Sequence, residues 1–315
     1  MDGVELRSVG RSGLQVSALG LGCNNFGRRL DAAGSTQVVH AALDAGVTLF
    51  DTADIYAEGV SEAILGAALQ GRRDEVIIAT KFGGARGASP YRRGGSRRWV
   101  RIAVEESLRR LRTEWIDLYQ MHFPDPATPI EETLRALDDL VREGKVRYVG
   151  SSNFSGWQVA DAAHTAERAG VTPFISAQNE YSLVERDAEA ELLPACVRFG
   201  VSLIPYYPLA GGFLSGKYAR GRPAPPGTRL ALVPHMGERM LVERKFDIVE
   251  RAEAFAQERG QTVLDVAVAW LLAQPRVVSV IAGAMSPEQV ASNVAAASGR
   301  LSTEDVELLN RLAAA

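Results

Sequence analysis

Eight short apolar runs, each followed by a longer stretch of helical periodicity, recur from about residue 17 to the end of the chain. The runs are Ser17–Gly22, Val47–Asp51, Val76–Lys81, Ile116–His122, Val146–Ser151, Phe174–Asn179, Ser202–Tyr206 and Val277–Ile281. The helical stretches are Thr36–Ala45, Ser61–Ala68, Arg98–Leu111, Ile130–Glu143, Gly156–Ala169, Ala188–Phe199, Val263–Ala273 and Pro287–Ala297. The runs are continuously apolar rather than alternating, which is expected of parallel strands covered on both faces. Pro129, Ser155 and the Ser286–Pro287–Glu288 sequence supply helix-start chemistry. Eight β/α units predict an α/β fold, a closed (β/α)8 TIM barrel, with a doubly wound open sheet as the alternative. The chain has 315 residues, about twice the usual domain size, yet no linker or composition shift divides it. A single barrel domain over residues 1–315 is expected. Residues 2–16, turning at Gly10–Arg11–Ser12–Gly13, read as a β-hairpin capping the barrel bottom.

Charge and cysteine content narrow the function. Lys+Arg 35 against Asp+Glu 38 leaves a net charge of −3, with no basic excess to grip a nucleic-acid backbone. Cys23 and Cys196 are too few for a disulfide framework or a zinc cluster. The opening MDGVELRSVG has no apolar core of a secretory signal, and Val263–Met285 is interrupted by Asp265, Gln274, Pro275 and Arg276. A cytoplasmic protein without membrane or nucleic-acid partners is expected, monomeric by default. Only four basic residues are lysines: Lys81, Lys145, Lys217 and Lys245. Codon bias is the plainer reading of that scarcity, although a retained lysine can mark a place where a compact ammonium is needed.

Candidate chemistry gathers at strand ends. Asp51 closes the second run, and a buried carboxylate there needs a cation or several donors; taken alone it could equally cap a helix. Lys81 closes the third run amid apolar neighbours and is the matching cation. His122 closes the fourth, where a lone histidine is more often a core residue. Tyr56, five residues after Asp51, could simply cover the barrel mouth. Together the four change meaning, because the C-terminal ends of parallel barrel strands converge on one pocket. A phenol of pKa about 10 is a poor acid at neutral pH, and a neighbouring ammonium or imidazole should draw its pKa down.

These residues sit in motifs that resemble the aldo-keto reductase family across nearly the whole chain. They include Gly20–Leu–Gly22, Phe50–Asp–Thr–Ala–Asp–Ile–Tyr56, Ala79–Thr–Lys–Phe82, Asp117–Leu–Tyr–Gln–Met–His122, Gly144 to Phe154, Gln178–Asn–Glu–Tyr181 and Tyr206–Tyr–Pro–Leu209. The resemblance implies a barrel that reduces small-molecule aldehydes or ketones with NADPH or NADH. It implies Tyr56 as proton donor, Asp51 and Lys81 tuning it, and His122 orienting the carbonyl. It further implies a cofactor site beginning at Gly22 and Cys23, with Ser152, Asn153 and Gln178 on the carboxamide and Tyr206 stacked on the nicotinamide. Tyr207, Pro208, Leu209, Gly211 and Lys217 would follow the pyrophosphate. Gly283, Gln289 and Asn293 would take the adenosine side, joined by Arg229 as in the potassium-channel β-subunit-like branch. A helix N-terminus favours phosphate on physical grounds, while Gln289 and Asn293 could also be two solvated helix residues. Met285 stands where that branch often has arginine or a hydroxyl residue, so NADPH is preferred through Arg229 and NADH is retained as the alternative.

Two spacings mislead. Gly211 to Lys217 matches a phosphate-binding P-loop, but Tyr218 replaces the metal-binding hydroxyl and a Pro-rich stretch replaces the helix. The glycines at 20, 22 and 27 do not fit a dinucleotide-binding Rossmann turn. The arginines between Arg86 and Arg101 read as a solvated basic loop or, more sharply, as a site for an anionic substrate. Two other functions remain open on the same barrel: a cofactor-sensing or channel-regulatory subunit, and a Schiff-base aldolase using Lys81.

Overall fold

The computed structural model describes residues 4–314. Residues 2 and 3 of the expected hairpin lie outside that range. Strands β1 (Leu6–Ser8) and β2 (Gln15–Ser17) pair antiparallel, with Leu6 opposite Ser17. The turn between them rests on the strand entrances. Gly10 N donates to Ser202 Oγ at 2.7 Å, and Val9, Leu14 and Val16 pack on Leu49, Ala79, Leu118, Ile175 and Ile204 inside the barrel. The cap needs a glycine: Gly10 has φ +59°, and a Cβ there would lie 2.5 Å from the Ile175 carbonyl oxygen.

The barrel strands are β3 (Leu19–Gly22), β4 (Leu49–Asp51), β5 (Ile77–Phe82), β6 (Ile116–Met121), β7 (Val146–Ser152), β8 (Ser176–Gln178), β9 (Ser202–Leu203) and β10 (Val280–Gly283). They form one parallel sheet in the order β10-β3-β4-β5-β6-β7-β8-β9. Backbone bonds join its two ends: Leu203 N to Arg276 O at 2.8 Å, Val278 N to Leu203 O at 3.2 Å and Ile281 N to Pro205 O at 3.0 Å. The eight-strand barrel expected from the sequence is the observed architecture.

The expected seventh and eighth runs are trimmed at this seam. Pro205 has no N–H to give a ladder, so β9 stops at Leu203. Val277 and Val278 bond to β9, and the regular pairing with β3 begins only at Val280.

Local chemistry fixes the helix starts. Asp31 accepts from Gly34 N and starts the first helix at Ala32, one turn before the expected Thr36. Capping boxes at Ser155–Gln158 and Thr262–Asp265 begin Gly156–Ala169 and Val263–Leu272. The expected helix Ala188–Phe199 is split into a turn, Asp187–Glu189, and a helix, Leu192–Phe199. Pro194 is tolerated only in a first turn, which sets that start.

The Pro-rich stretch after β9 holds more structure than a loop. Short helices Arg229–Leu232 and Pro234–Met240 lead into Glu243–Gln257, and a further helix spans Thr303–Ala314. Phe246, Val249, Ala252 and Phe255 bury one face of Glu243–Gln257. The main core lies between sheet and helices, and Trp270 within it donates Nε1–H to Asn310 at 2.9 Å. Among the described residues, no helix is long and apolar enough to cross a membrane.

Candidate active site

Register aligns two charges at the barrel mouth. Asp51 pairs with Ala79, and Lys81 lies two residues on, so both face the barrel interior. Lys81 is fully buried. Its Nζ donates to Asp51 Oδ1 at 2.8 Å, Asp51 Oδ2 at 2.7 Å and the Thr52 carbonyl at 2.8 Å, with Tyr56 Oη at 3.5 Å. Burial, the largest influence, depresses the Lys81 pKa, but Asp51 and Tyr56 together outweigh it and hold the ammonium above its ordinary value. The cation that Asp51 was expected to need is therefore Lys81.

Tyr56 begins a tight turn, Tyr56–Gly59, in which Ala57 (φ +48°), Glu58 (φ +56°) and Gly59 (φ +92°) are all left-handed. Two consecutive non-glycine residues in that region store strain at the site. Although the residue is partly exposed, burial raises the Tyr56 pKa and outweighs the downward pull of Lys81. The expectation that an adjacent cation brings the phenol down is thus corrected: Lys81 pulls in that direction, but desolvation is larger.

His122 is 6% exposed, with its ring edge-on to Tyr56 at 5.9 Å and stacked on Phe123 at 4.4 Å. Burial, then Lys81, lowers its pKa to about 2, so the imidazole is neutral at physiological pH. Its Nδ1 is buried without a hydrogen-bond partner among the described residues. A neutral imidazole can orient a carbonyl by hydrogen bonding, while a phenol beside an ammonium can protonate it.

The residues expected to hold a carboxamide form a chain of bonds beside this group. Ser152 Oγ donates to the Gln178 carbonyl at 2.8 Å, and Asn153 Nδ2 donates to Ser152 Oγ at 3.2 Å and the His122 carbonyl at 2.9 Å. Tyr206 Oη donates to Asn153 Oδ1 at 2.8 Å, while Gln178 Nε2 donates to Asp51 Oδ1 at 2.8 Å. Gln178 Oε1 is left without a protein donor among the described residues. Asn153 (φ +60°) and Tyr207 (φ +51°) adopt the left-handed turns that aim these groups.

The phosphate-side residues spread along one rim. After the buried Pro208 and the half-buried Leu209, the chain curls through Gly211 and Gly212, and Lys217 folds back against Gly212. No helix starts at Lys217, as a P-loop would require; the next one begins at Arg229. Burial, then Arg29, lowers the Lys217 pKa. Arg229 donates to Asn24 Oδ1 at 3.2 Å and Asn25 Oδ1 at 2.8 Å and lies over Tyr207 at 5.4 Å.

At the last strand Gly22 and Gly283 are paired neighbours, and the atoms nearest a Cβ on Gly283 would be Asn25 Nδ2 at 3.5 Å, the Gly22 carbonyl oxygen at 3.7 Å and Asn24 Oδ1 at 3.9 Å. Gln289 is exposed and caps Met285 N at 2.8 Å, and Asn293 is buried with Nδ2 3.5 Å from the Gly283 carbonyl. Cys23 does not present its side chain: it is 0% exposed in the core, so only its backbone can face a ligand. The free amide acceptor of Gln178, the Tyr206 ring, the side-chain-free Gly22–Gly283 floor and the Lys217 and Arg229 cations fit a nicotinamide dinucleotide. No group of three or more metal-ligating side chains is present among the described residues.

Sequence reasoning gave no role to Asn24, Arg29, Thr52 or Phe123. Arg29 Nη2 donates to the Gly227 carbonyl at 2.7 Å and ties the Pro-rich stretch over the rim. Asn24 and Arg29 lie within seven residues after the Gly20–Leu–Gly22 motif, and that position was the signal available. Thr52 acts through its carbonyl, which no side-chain pattern marks.

A parallel barrel with an Asp–Lys–Tyr–His cluster at the strand ends and a dinucleotide-shaped rim defines a class of oxidoreductase. The Aldo/keto reductase family model matches residues 18–314. The chain is 37% identical to an uncharacterized oxidoreductase, YrpG, of Bacillus subtilis (strain 168), over 98% of this chain and 95% of that protein. It is 36% identical to a probable voltage-gated potassium channel subunit beta of Oryza sativa subsp. japonica, over 93% and 91%. It is also 36% identical to probable aldo-keto reductase 1 of Glycine max, over 95% and 86%. The chain belongs to the aldo-keto reductase family.

Proposed function

We propose that the chain is a single-domain, NADPH-dependent reductase of small aldehydes or ketones, acting in the cytoplasm as a monomer. The observation that carries this reading is the contact of Lys81 Nζ with both Asp51 oxygens and, at 3.5 Å, with Tyr56 Oη. A bound dinucleotide would supply hydride to the carbonyl carbon. Tyr56 donates its proton to the carbonyl oxygen as that oxygen gains charge, and Lys81 stabilises the phenolate left behind. Asp51 and the Thr52 carbonyl hold the ammonium in place. Neutral His122 orients the carbonyl by hydrogen bonding. Carbonyl, hydride and proton together balance to the alcohol.

Ser152, Asn153, Gln178 and Tyr206 would hold the nicotinamide end. Gly22, the backbone of Cys23, Tyr207 to Gly211 and Lys217 would follow the pyrophosphate, and Gly283, Gln289, Asn293 and Arg229 would take the adenosine end. NADPH is preferred because no carboxylate pairs with Arg229 among the described residues, which leaves its charge for a 2′-phosphate. A carbonyl panel run with NADPH and NADH tests the reading, through oxidation of cofactor at 340 nm, NADPH faster.

The names of the rice and Arabidopsis thaliana relatives, both probable potassium channel β subunits, support a second reading as a cofactor-sensing subunit. Tight NADPH binding with no oxidation across the panel would favour it over the reductase.

A further inference from the structure

We propose that Arg93 selects the substrate of this site: a carbonyl compound bearing an anionic group, carboxylate or phosphate, at the end away from the carbonyl. This rests on the reductase reading. A cavity of about 460 Å³ opens beside the cluster. Ile55, next to Tyr56, lines it, as does Phe123, whose ring stacks on His122. Gly83, Gly84 and Arg93 also line it, with Gly84 packed close against the Ile55 side chain.

The arginines between Arg86 and Arg101 do not form one basic patch. Arg92 donates to Glu106 at 2.6 Å, Arg97 to Asp139 at 2.7 Å and Arg101 to Glu143 at 2.6 Å. Arg86 lies 3.5 Å from Glu106, and Arg98 covers the Tyr91 ring at 5.1 Å. Arg93 has no such partner among the described residues, and it lines the cavity.

One carboxylate shares that space. Asp125 Oδ2 accepts from Gly95 N at 2.9 Å and Thr128 Oγ1 at 2.7 Å, and Oδ1 accepts from Ala127 N at 3.0 Å. Most of its acceptor capacity goes to pinning two loops together. Against burial, these bonds and the Arg93 charge lower its pKa, yet the two side chains form no ion pair within 4.0 Å among the described residues. The guanidinium keeps its forked donors, whose best partner is a planar or tetrahedral oxyanion. The helix Arg97–Leu111 begins at this cavity, with its cap Ser96 in the lining, and its positive end favours the same charge.

The test measures kcat/KM with NADPH for 4-carboxybenzaldehyde, 4-formylphenyl phosphate and neutral 4-methylbenzaldehyde. Arg93→Gln is expected to lower the anionic-to-neutral ratio about tenfold or more, through KM. Arg92→Gln, whose parent side chain is already paired with Glu106, should keep the ratio within about twofold. The anionic probe with the larger loss identifies carboxylate or phosphate. Equal losses on charged and neutral probes, or the same change in Arg92→Gln, overturn the proposal. A second measurement is independent of turnover: calorimetric binding of 4-carboxybenzyl alcohol against benzyl alcohol, with NADP+ present. If no probe is reduced yet the acid binds in an Arg93-dependent way, the reductase reading fails while Arg93 as the anion-binding residue of this cavity stands. Arg93-independent binding overturns this one.

Discussion

Gln178 Nε2 donates to Asp51 Oδ1 at 2.8 Å, so the carboxylate that anchors Lys81 is itself held from β8, on the far side of the barrel mouth. One acid thereby couples the group proposed to donate a proton to the residue proposed to grip the nicotinamide carboxamide. Losing Asp51 should disturb both.

Removing one partner of the buried pair leaves an uncompensated charge. Asp51→Asn is expected to destabilise the fold by about 3 kcal/mol or more, and the double variant Asp51→Asn/Lys81→Met by less than the sum of the two single changes. Urea unfolding of the four proteins gives the coupling. Additive losses would contradict a buried ion pair.

Two buried groups give opposite dependences on pH. Asp54 is fully buried, and neither of its carboxylate oxygens has a hydrogen-bond partner among the described residues. Burial, then Glu62, raises its pKa from 3.8 to about 7 against Arg86 and Arg110. Its contribution to stability is complete below the unfolded value and is lost as pH rises through about 7. His122 runs the other way: its pKa falls from 6.5 to about 2, so its contribution is complete above 6.5 and is lost as pH falls. The slopes oppose each other between those limits. Asp54→Asn should therefore steepen the acid-side loss of stability by up to about 1.4 kcal/mol per pH unit. Unfolding free energies at about pH 4.5 and about pH 6.5 measure it, and an unchanged slope would mean that Asp54 is ionised in the fold.

The hairpin cap depends on close approach at Gly10. Gly10→Ala, facing the Ile175 carbonyl, should cost about 2 kcal/mol or more. Gly71→Ala, at φ +79° with nothing within 4 Å of a Cβ, is strained only by its backbone and should cost about 1 kcal/mol. Equal shifts in thermal midpoint would remove the steric part of the argument.

In the proposed function, Arg229 supplies the charge that favours a phosphorylated cofactor. Arg229→Gln is expected to weaken NADPH binding about tenfold and NADH binding about threefold at most. Fluorescence titration of both cofactors distinguishes this from a general loosening of the Pro-rich stretch, which would weaken them alike.

The barrel was legible because eight apolar runs of similar length leave few other closed architectures, and Asp51, Lys81 and His122 stood at their ends. What the sequence obscured lay where tertiary context overrides local pattern. Pro205 cut a run that otherwise reads as a full strand, and closure passed to Val277 and Val278. Helix Glu243–Gln257 has its buried stripe at Phe246, Val249, Ala252 and Phe255, but the strand–helix alternation did not call for an extra helix there. The Tyr56 pKa was misjudged because the neighbouring charge is visible in sequence while the packing around the hydroxyl is not. The arginine cluster likewise looked uniform until Glu106, Asp139 and Glu143 were found to neutralise all but its cavity-facing member and the ring-stacked Arg98.

The central claim is that Tyr56 delivers the proton. Single-turnover NADPH oxidation with an aldehyde, on wild type and Tyr56→Phe, tests it directly. A fall in rate of roughly 10²-fold to 10⁴-fold is expected, with NADPH affinity within about twofold of wild type. A Tyr56→Phe protein that reduces the aldehyde at the wild-type rate would contradict the account.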